Sequence, residues 1–204
     1  MEVNLATGGK SIAKACFVTT GATAPFEALI ESVLHPSSIE ALQNAGYTHL
    51  LVQYGAAKKL FDDRAKIARQ SLLEHPLKTE HLEIGGFDFS LDGLKEQFQL
   101  VQCSNGVVIS HAGSGSILAA LRYQVPLIVV PNTLLLDNHQ DELANAMAKS
   151  NYLLRGDVKN LAPAILEAEN FKQKMAQFPP ITSGKHRETK SFAGIMDEML
   201  GFVE

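Results

Sequence analysis

Apolar residues along this chain change their spacing in a regular alternation. The run Cys16, Phe17, Val18, Thr19, Thr20 is short and rich in β-branched and aromatic residues, as a strand is. It gives way to residues 25–34, where Phe26, Leu29, Ile30, Val33 and Leu34 recur at i, i+3, i+4, i+7 and i+8 behind a proline suited to a first helical turn. Residues 38–46 keep a helical period and close on Gly46, and residues 48–55 predict the next strand. A charged helix is predicted over 58–74, an extended segment over 81–87 and a helix over 94–103. Residues 106–110 and 126–131 are short, continuous apolar runs on either side of a helical segment at 116–124. Runs apolar on both faces suit central strands of a parallel sheet covered by helices. The fold class predicted is α/β, a Rossmann-like parallel sheet with helices on both faces. The division expected is a flexible head over 1–13, a ligand-binding domain over 14–177, and a linker with a C-terminal helix over 178–204.

Composition narrows the partners. A chain of 204 residues with 46% hydrophobic residues buries a substantial core, and it fits one domain with an appendage better than two full domains. A net charge of −4 lacks the basic excess that nucleic acid would favour, so no nucleic-acid partner is expected. Two cysteines, Cys16 and Cys103, make no disulfide framework and point to a reducing compartment. No apolar run at the head has signal-peptide length, and none reaches the roughly 18 residues of a membrane span. A cytoplasmic location is expected, with any membrane contact made through a partner.

Chemistry collects where strands give way to helices. After residues 106–110 come His111, Ala112, Gly113, Ser114, Gly115 and Ser116, small residues that let a ligand approach backbone N–H groups at a helix start. An anion such as a phosphate suits this corner. The alternative is a tight turn in which Ser114 or Ser116 merely caps the helix. The corner after the first strand repeats the design with Thr20, Gly21 and Thr23. It is not GxGxxG, and no acidic residue stands where a dinucleotide fold would hold a ribose, which disfavours NAD. In a third corner Asp137 and Gln140 have capping-box spacing, while Asn138 and His139 would face the same crevice. His111 at a strand end suits a structural hydrogen bond or catalysis, and it is the weak candidate for the latter. His35, His49, His75, His81 and His186 show no metal-ligand spacing.

The segments GATAPFEALI, IGGFDFS, VVISHAGSGSILAALR and PLIVVPNTLLLDNHQDELA, in this order, resemble the motifs of a glycosyltransferase family. They look like those of the small catalytic subunit of the two-part UDP-N-acetylglucosamine transferase of the dolichol pathway. That family is similar in turn to the C-terminal, nucleotide-sugar-binding half of the bacterial enzyme that makes lipid II. The resemblance implies half of a GT-B transferase, passing N-acetylglucosamine from UDP-N-acetylglucosamine to dolichyl-diphosphate-N-acetylglucosamine. It further implies that Gly21 and Thr23, with Ser114, Gly115 and Ser116, cradle the phosphates, while His139 and Gln140 lie toward the donor sugar. One departure stands out. Related transferases carry a carboxylate on the helix after the glycine corner, suited to a ribose hydroxyl, and this chain has Ala119 beside Ala120. Asp88 and Glu142 are possible substitutes.

A leaving diphosphate gains charge in the transition state, so fixed donors aimed at it lower the barrier. No DxD triplet occurs to hold a metal ion, so helix N-termini and hydroxyls are expected to neutralise the charge with no cofactor; the resemblance implies inversion at the sugar by direct displacement. One half-enzyme without a span needs a second polypeptide, and the resemblance implies a membrane-anchored subunit that binds the dolichol-linked acceptor at the cytosolic face of the endoplasmic reticulum. The general base belongs on either chain. Phe192, Ile195, Met196, Met199 and Phe202 line one face of a C-terminal helix, packed on this domain or on that partner. The rival readings are a noncatalytic UDP-sugar or phosphate-binding regulatory module and a Rossmann oxidoreductase.

Overall fold

The computed structural model describes residues 13–21, 26–74, 82–90, 93–132 and 139–176. In chain order these form β1 (Ala15–Thr19), α1 (Glu27–Val33), α2 (Pro36–Asn44), β2 (His49–Gln53), α3 (Lys58–Glu74), β3 (Glu83–Phe87), α4 (Lys95–Cys103), β4 (Val107–His111), α5 (Ser114–Tyr123), β5 (Leu127–Val130), α6 (His139–Lys149), β6 (Leu154–Arg155) and α7 (Ala162–Ala176). All strand pairs are parallel, in the order β3-β2-β1-β4-β5-β6. The chain steps outward one way from β1, then returns to lay β4 on its other side. The β1–β4 boundary is therefore the topological switch point.

Strand side chains alternate between two cores, as a sheet buried on both faces requires. Cys16, Val18, Val107, Ile109, Ile128 and Val130 face one core with Leu29 and Ile30 of α1, Leu42 of α2, Phe61 of α3 and Ile165 of α7. Phe17, Val108, Leu127 and Val129 face the other, with Phe98 of α4, Ile117 of α5 and Met147 of α6. The predicted stripe on α1 is borne out, since Leu29, Ile30 and Val33 are fully buried. Pro36 opens α2 in its first turn, behind His35, whose side chain accepts the Ser37 N–H. Gln124 in left-handed conformation stops α5 so that β5 can begin.

The polar residues after Val18 and Val52 shorten two predicted strands, which end at Thr19 and Gln53 rather than at residues 20 and 55. Neither β6 nor α7 was singled out from the pattern. At two residues β6 is too short to show alternation, and only Ile165, Ala168 and Phe171 of α7 are buried. At the opposite end of the sheet from the switch-point corners, α7 is pinned by Glu169. Its carboxylate pairs with Lys14 and Lys172 at 2.8 Å each and accepts from Tyr47 Oη at 2.9 Å. The head before residue 13, the C-terminal apolar stripe and the proposed boundary at 177–178 lie outside the described residues.

Candidate functional site

Strand register decides where the polar groups gather. Thr19 stands opposite Gln53 on one side and Ser110 on the other, so one row across β2, β1 and β4 ends the apolar core. All three are buried. Thr19 Oγ1 donates to Gln53 Oε1 at 2.6 Å, Thr20 Oγ1 donates to the Gln53 carbonyl at 3.1 Å, and Ser110 Oγ donates to the His111 carbonyl at 2.9 Å. Buried hydroxyls satisfied this way stiffen the strand ends from which the loops depart. The Thr20 hydroxyl proton is thereby turned inward, which leaves its backbone as what the residue offers a ligand. Gln53 and Ser110 carry this support unforeseen; a polar residue at the end of an otherwise apolar strand was the available signal. Asn132, buried just beyond β5, gives the same signal on the other side of the switch point.

From this row the β1 corner turns sharply. Gly21 has φ +84°, and its N–H lies 3.3 Å from Thr19 Oγ1. Glycine is the residue that takes this angle without strain. Across the switch point His111 ends β4, partly buried. Burial holds its imidazole below the ordinary histidine range and so favours the neutral ring, opposed by a hydrogen bond to the Thr19 carbonyl.

The helix that follows starts open. Gly113 is the N-cap of α5 and no side chain caps it, so neither Ser114 nor Ser116 serves the capping role. The Ser116 and Ile117 N–H groups both reach the Gly113 carbonyl, at 3.1 and 3.2 Å. The N–H groups of Ser114 and Gly115 precede any intrahelical partner, and both residues are exposed while Ser116 is half-buried. Together with the helix dipole, they make an anion-receptive end at the switch point.

The third corner is anchored from behind. Asp141, in the first turn of α6, pairs with Arg155 of β6 at 2.6 Å and accepts from Asn145 Nδ2 at 3.0 Å. The hydrogen bond from Arg155 holds its carboxyl below the usual range. The backbone of His139 and Gln140 thus opens α6 beyond the end of β5. Thr23, Asp137 and Asn138, and the side chains of His139 and Gln140, lie outside the described residues, and the capping box with them.

Ala119 is half-buried against the second core and Ala120 is buried, so this face of α5 carries no carboxylate. The two suggested substitutes part company. Asp88 follows β3, with β2 and β1 between it and the switch point, whereas Glu142 lies in the first turn of α6. Among the described residues, no three of His, Cys, Asp and Glu gather as metal ligands.

A doubly wound parallel sheet with an open helix end at its switch point is the fold of a Rossmann-type ligand-binding domain. MurG of Acinetobacter baumannii has this fold: 83% of this chain superposes on 45% of that one, with TM-score 0.54 and 16% identity. The NMR solution structure of ALG13 matches with TM-score 0.56 and 29% identity, covering 84% of this chain and 91% of that one. The glycosyltransferase family 28 C-terminal domain matches residues 15–199, and the chain belongs to that family. Its relatives include the UDP-N-acetylglucosamine transferase subunit ALG13 of Eremothecium gossypii, 36% identical over 82% of this chain and 86% of that protein. The subunit of the same name from Cryptococcus neoformans is 31% identical over 91% of this chain and 96% of that one.

Proposed function

We propose that this chain is the donor-binding, catalytic subunit of an N-acetylglucosaminyltransferase. It takes the sugar from UDP-N-acetylglucosamine and passes it to dolichyl-diphosphate-N-acetylglucosamine. The observation that carries this reading is near-full-length likeness to subunits named for UDP-N-acetylglucosamine transfer. The geometry supports it independently, because the open α5 N-terminus is what a departing diphosphate needs.

In this reading the Ser114 and Gly115 amides and the Ser114 and Ser116 hydroxyls hold the diphosphate, with Gly21 and Thr23 closing the cradle. Asn138, His139 and Gln140 lie toward the sugar. An acceptor hydroxyl attacks the anomeric carbon opposite the leaving group, the carbon–oxygen bond to UDP breaks, and the hydroxyl proton passes to a base. Displacement from the far side inverts the anomeric centre. Charge on the departing UDP grows as the bond lengthens, so donors fixed beforehand favour the transition state over the bound donor.

A GT-B enzyme closes two such halves on its substrates, and this chain forms one. Among the described residues no helix is long and apolar enough to cross a membrane. A second subunit, anchored in the endoplasmic reticulum membrane, supplies the facing wall, receives the lipid-linked acceptor and recruits this chain to the cytosolic face. The test is transfer of labelled N-acetylglucosamine to a lipid-diphosphate-sugar acceptor, by the chain alone and with its membrane partner. Transfer only by the pair is expected. UDP-sugar binding without transfer in either arrangement would instead mark a noncatalytic regulatory module.

A further inference from the structure

His111 stands between two glycine corners, and the space it fills explains one of those glycines. A Cβ on Gly113 would lie 2.3 Å from His111 Nε2, 2.9 Å from Cε1 and 3.1 Å from Cδ2. A Cβ on Gly21 would lie 2.5 Å from Cε1, 2.7 Å from Nε2 and 3.0 Å from Nδ1. At both positions the three nearest atoms belong to the imidazole. The ring is packed against backbone from the β1 corner and backbone from the β4 corner at once. Gly21, at φ +84°, needs glycine for its backbone angle in any case. Gly113, at φ −81° and ψ 132°, has a conformation open to any residue. The nearest obstacle to a side chain there is the histidine ring. A Cβ on Gly115, by contrast, would meet nothing within 4 Å.

We infer that His111 is a positioning residue, whose ring is a spacer that sets the separation of the β1 and β4 corners and so aims the α5 N-terminus at the donor diphosphate. The inference rests on the donor site proposed above. Its mechanical route is short. The ring is held to β1 through the Thr19 carbonyl. It bears on Gly113, whose N–H donates to the His111 carbonyl at 2.8 Å and whose own carbonyl receives the first two intrahelical bonds of α5. Glycine-rich corners have no side chains of their own to hold them apart, and hydrogen bonds to a ligand weaken steeply with distance and angle. A ring of fixed shape wedged between them supplies the missing constraint.

A double-mutant cycle on the full chain tests this: wild type, His111→Ala, Gly113→Ala and the double variant, each measured for thermal unfolding and for binding of UDP and of uridine. Gly113→Ala is expected to lower both the unfolding temperature and UDP affinity, the latter by about tenfold, but in the His111→Ala background to change UDP affinity by less than about twofold. His111→Ala alone is expected to weaken UDP about tenfold with little change in uridine, which lacks the phosphates. Additive effects of the two substitutions on unfolding would overturn the spacer. Equal losses for UDP and uridine would overturn the positioning role, leaving ordinary packing. A wild-type chain that binds no UDP would remove the donor-site reading itself, and the role assigned to the ring would fall with it.

Discussion

The two glycines of the α5 corner have the same residue type and opposite reasons for it. Gly113 is hemmed in by the His111 ring, while Gly115 faces open space on an exposed helical turn. Gly115 is therefore where a side chain tests the ligand and spares the fold. Gly115→Leu is expected to shift unfolding free energy by no more than about 0.5 kcal/mol. It should abolish measurable UDP binding, because in the proposed donor site the added bulk stands where a phosphate approaches the amides. Calorimetric titration with UDP beside a urea melt checks both halves, and undiminished UDP binding would place the phosphates elsewhere. A bulky residue at Gly113 would instead meet the His111 ring and disturb the fold. The run His111 to Ser116 marks the corner in the sequence, because small residues after an apolar strand are visible there. The division of labour among its glycines is not, because it depends on where one imidazole lies in three dimensions.

At the scale of elements, α7 is held as much by charge as by apolar contact. Tyr47 lies between Lys14 and Lys172, whose ammonium groups stand 4.5 and 5.0 Å from its ring centroid, and its hydroxyl joins the Glu169 carboxylate. Burial raises the Tyr47 hydroxyl far above the usual phenol range, with the neighbouring Cys16 and Glu169 pushing the same way, so it stays a donor. Burial would also raise Glu169, but hydrogen bonds from Lys14, Lys172 and Tyr47 outweigh it and hold the carboxyl below its ordinary value. A carboxyl depressed in the folded state adds stability above its unfolded pKa, near 4.3, and loses it as pH falls through the lower folded value. Wild type is expected to lose stability more steeply than Glu169→Gln on acidification from about pH 5 to about pH 3. Tyr47→Phe should cost about 1–2 kcal/mol at neutral pH, because the hydroxyl donates to Glu169 and accepts from Lys172 Nζ at 3.1 Å. Urea unfolding at several pH values reads both, and parallel acid profiles for wild type and Glu169→Gln would refute the first. The same cluster explains why α7 was harder to foresee than α1 or α3. Its attachment combines a sparse apolar stripe with one carboxylate, two of whose three partners, Lys14 and Tyr47, lie more than a hundred positions away in sequence. Strands β1, β4 and β5 were legible because residues buried on both faces leave a continuous apolar run, which needs no distant partner to be recognised.

At the scale of the whole molecule, neutralising the leaving group is the main electrostatic demand on a UDP-sugar transferase. Enzymes that meet it with a metal ion keep a carboxylate motif for the ion, and this chain has no DxD triplet. It presents the open N-terminus of α5 at the switch point, flanked by a β1 corner whose backbone is bent by Gly21. Backbone dipoles of this kind are fixed by the fold, so they need no reorganisation as charge develops, and no chelator removes them. In the assembled enzyme, excess EDTA is therefore expected to leave kcat/KM for UDP-N-acetylglucosamine within about twofold, a change of less than ~0.5 kcal/mol in barrier. Loss of activity restored by added magnesium or manganese would show that an ion does the work assigned to the helix. The anomeric configuration of the product, read by proton NMR, tests the same geometry from the sugar's side. A diphosphate gripped by α5 leaves the opposite face of the anomeric carbon to the acceptor, so one direct displacement must invert it. Retention would require either a covalent intermediate on a side chain or attack from the side of the leaving group, and each contradicts the direct displacement proposed.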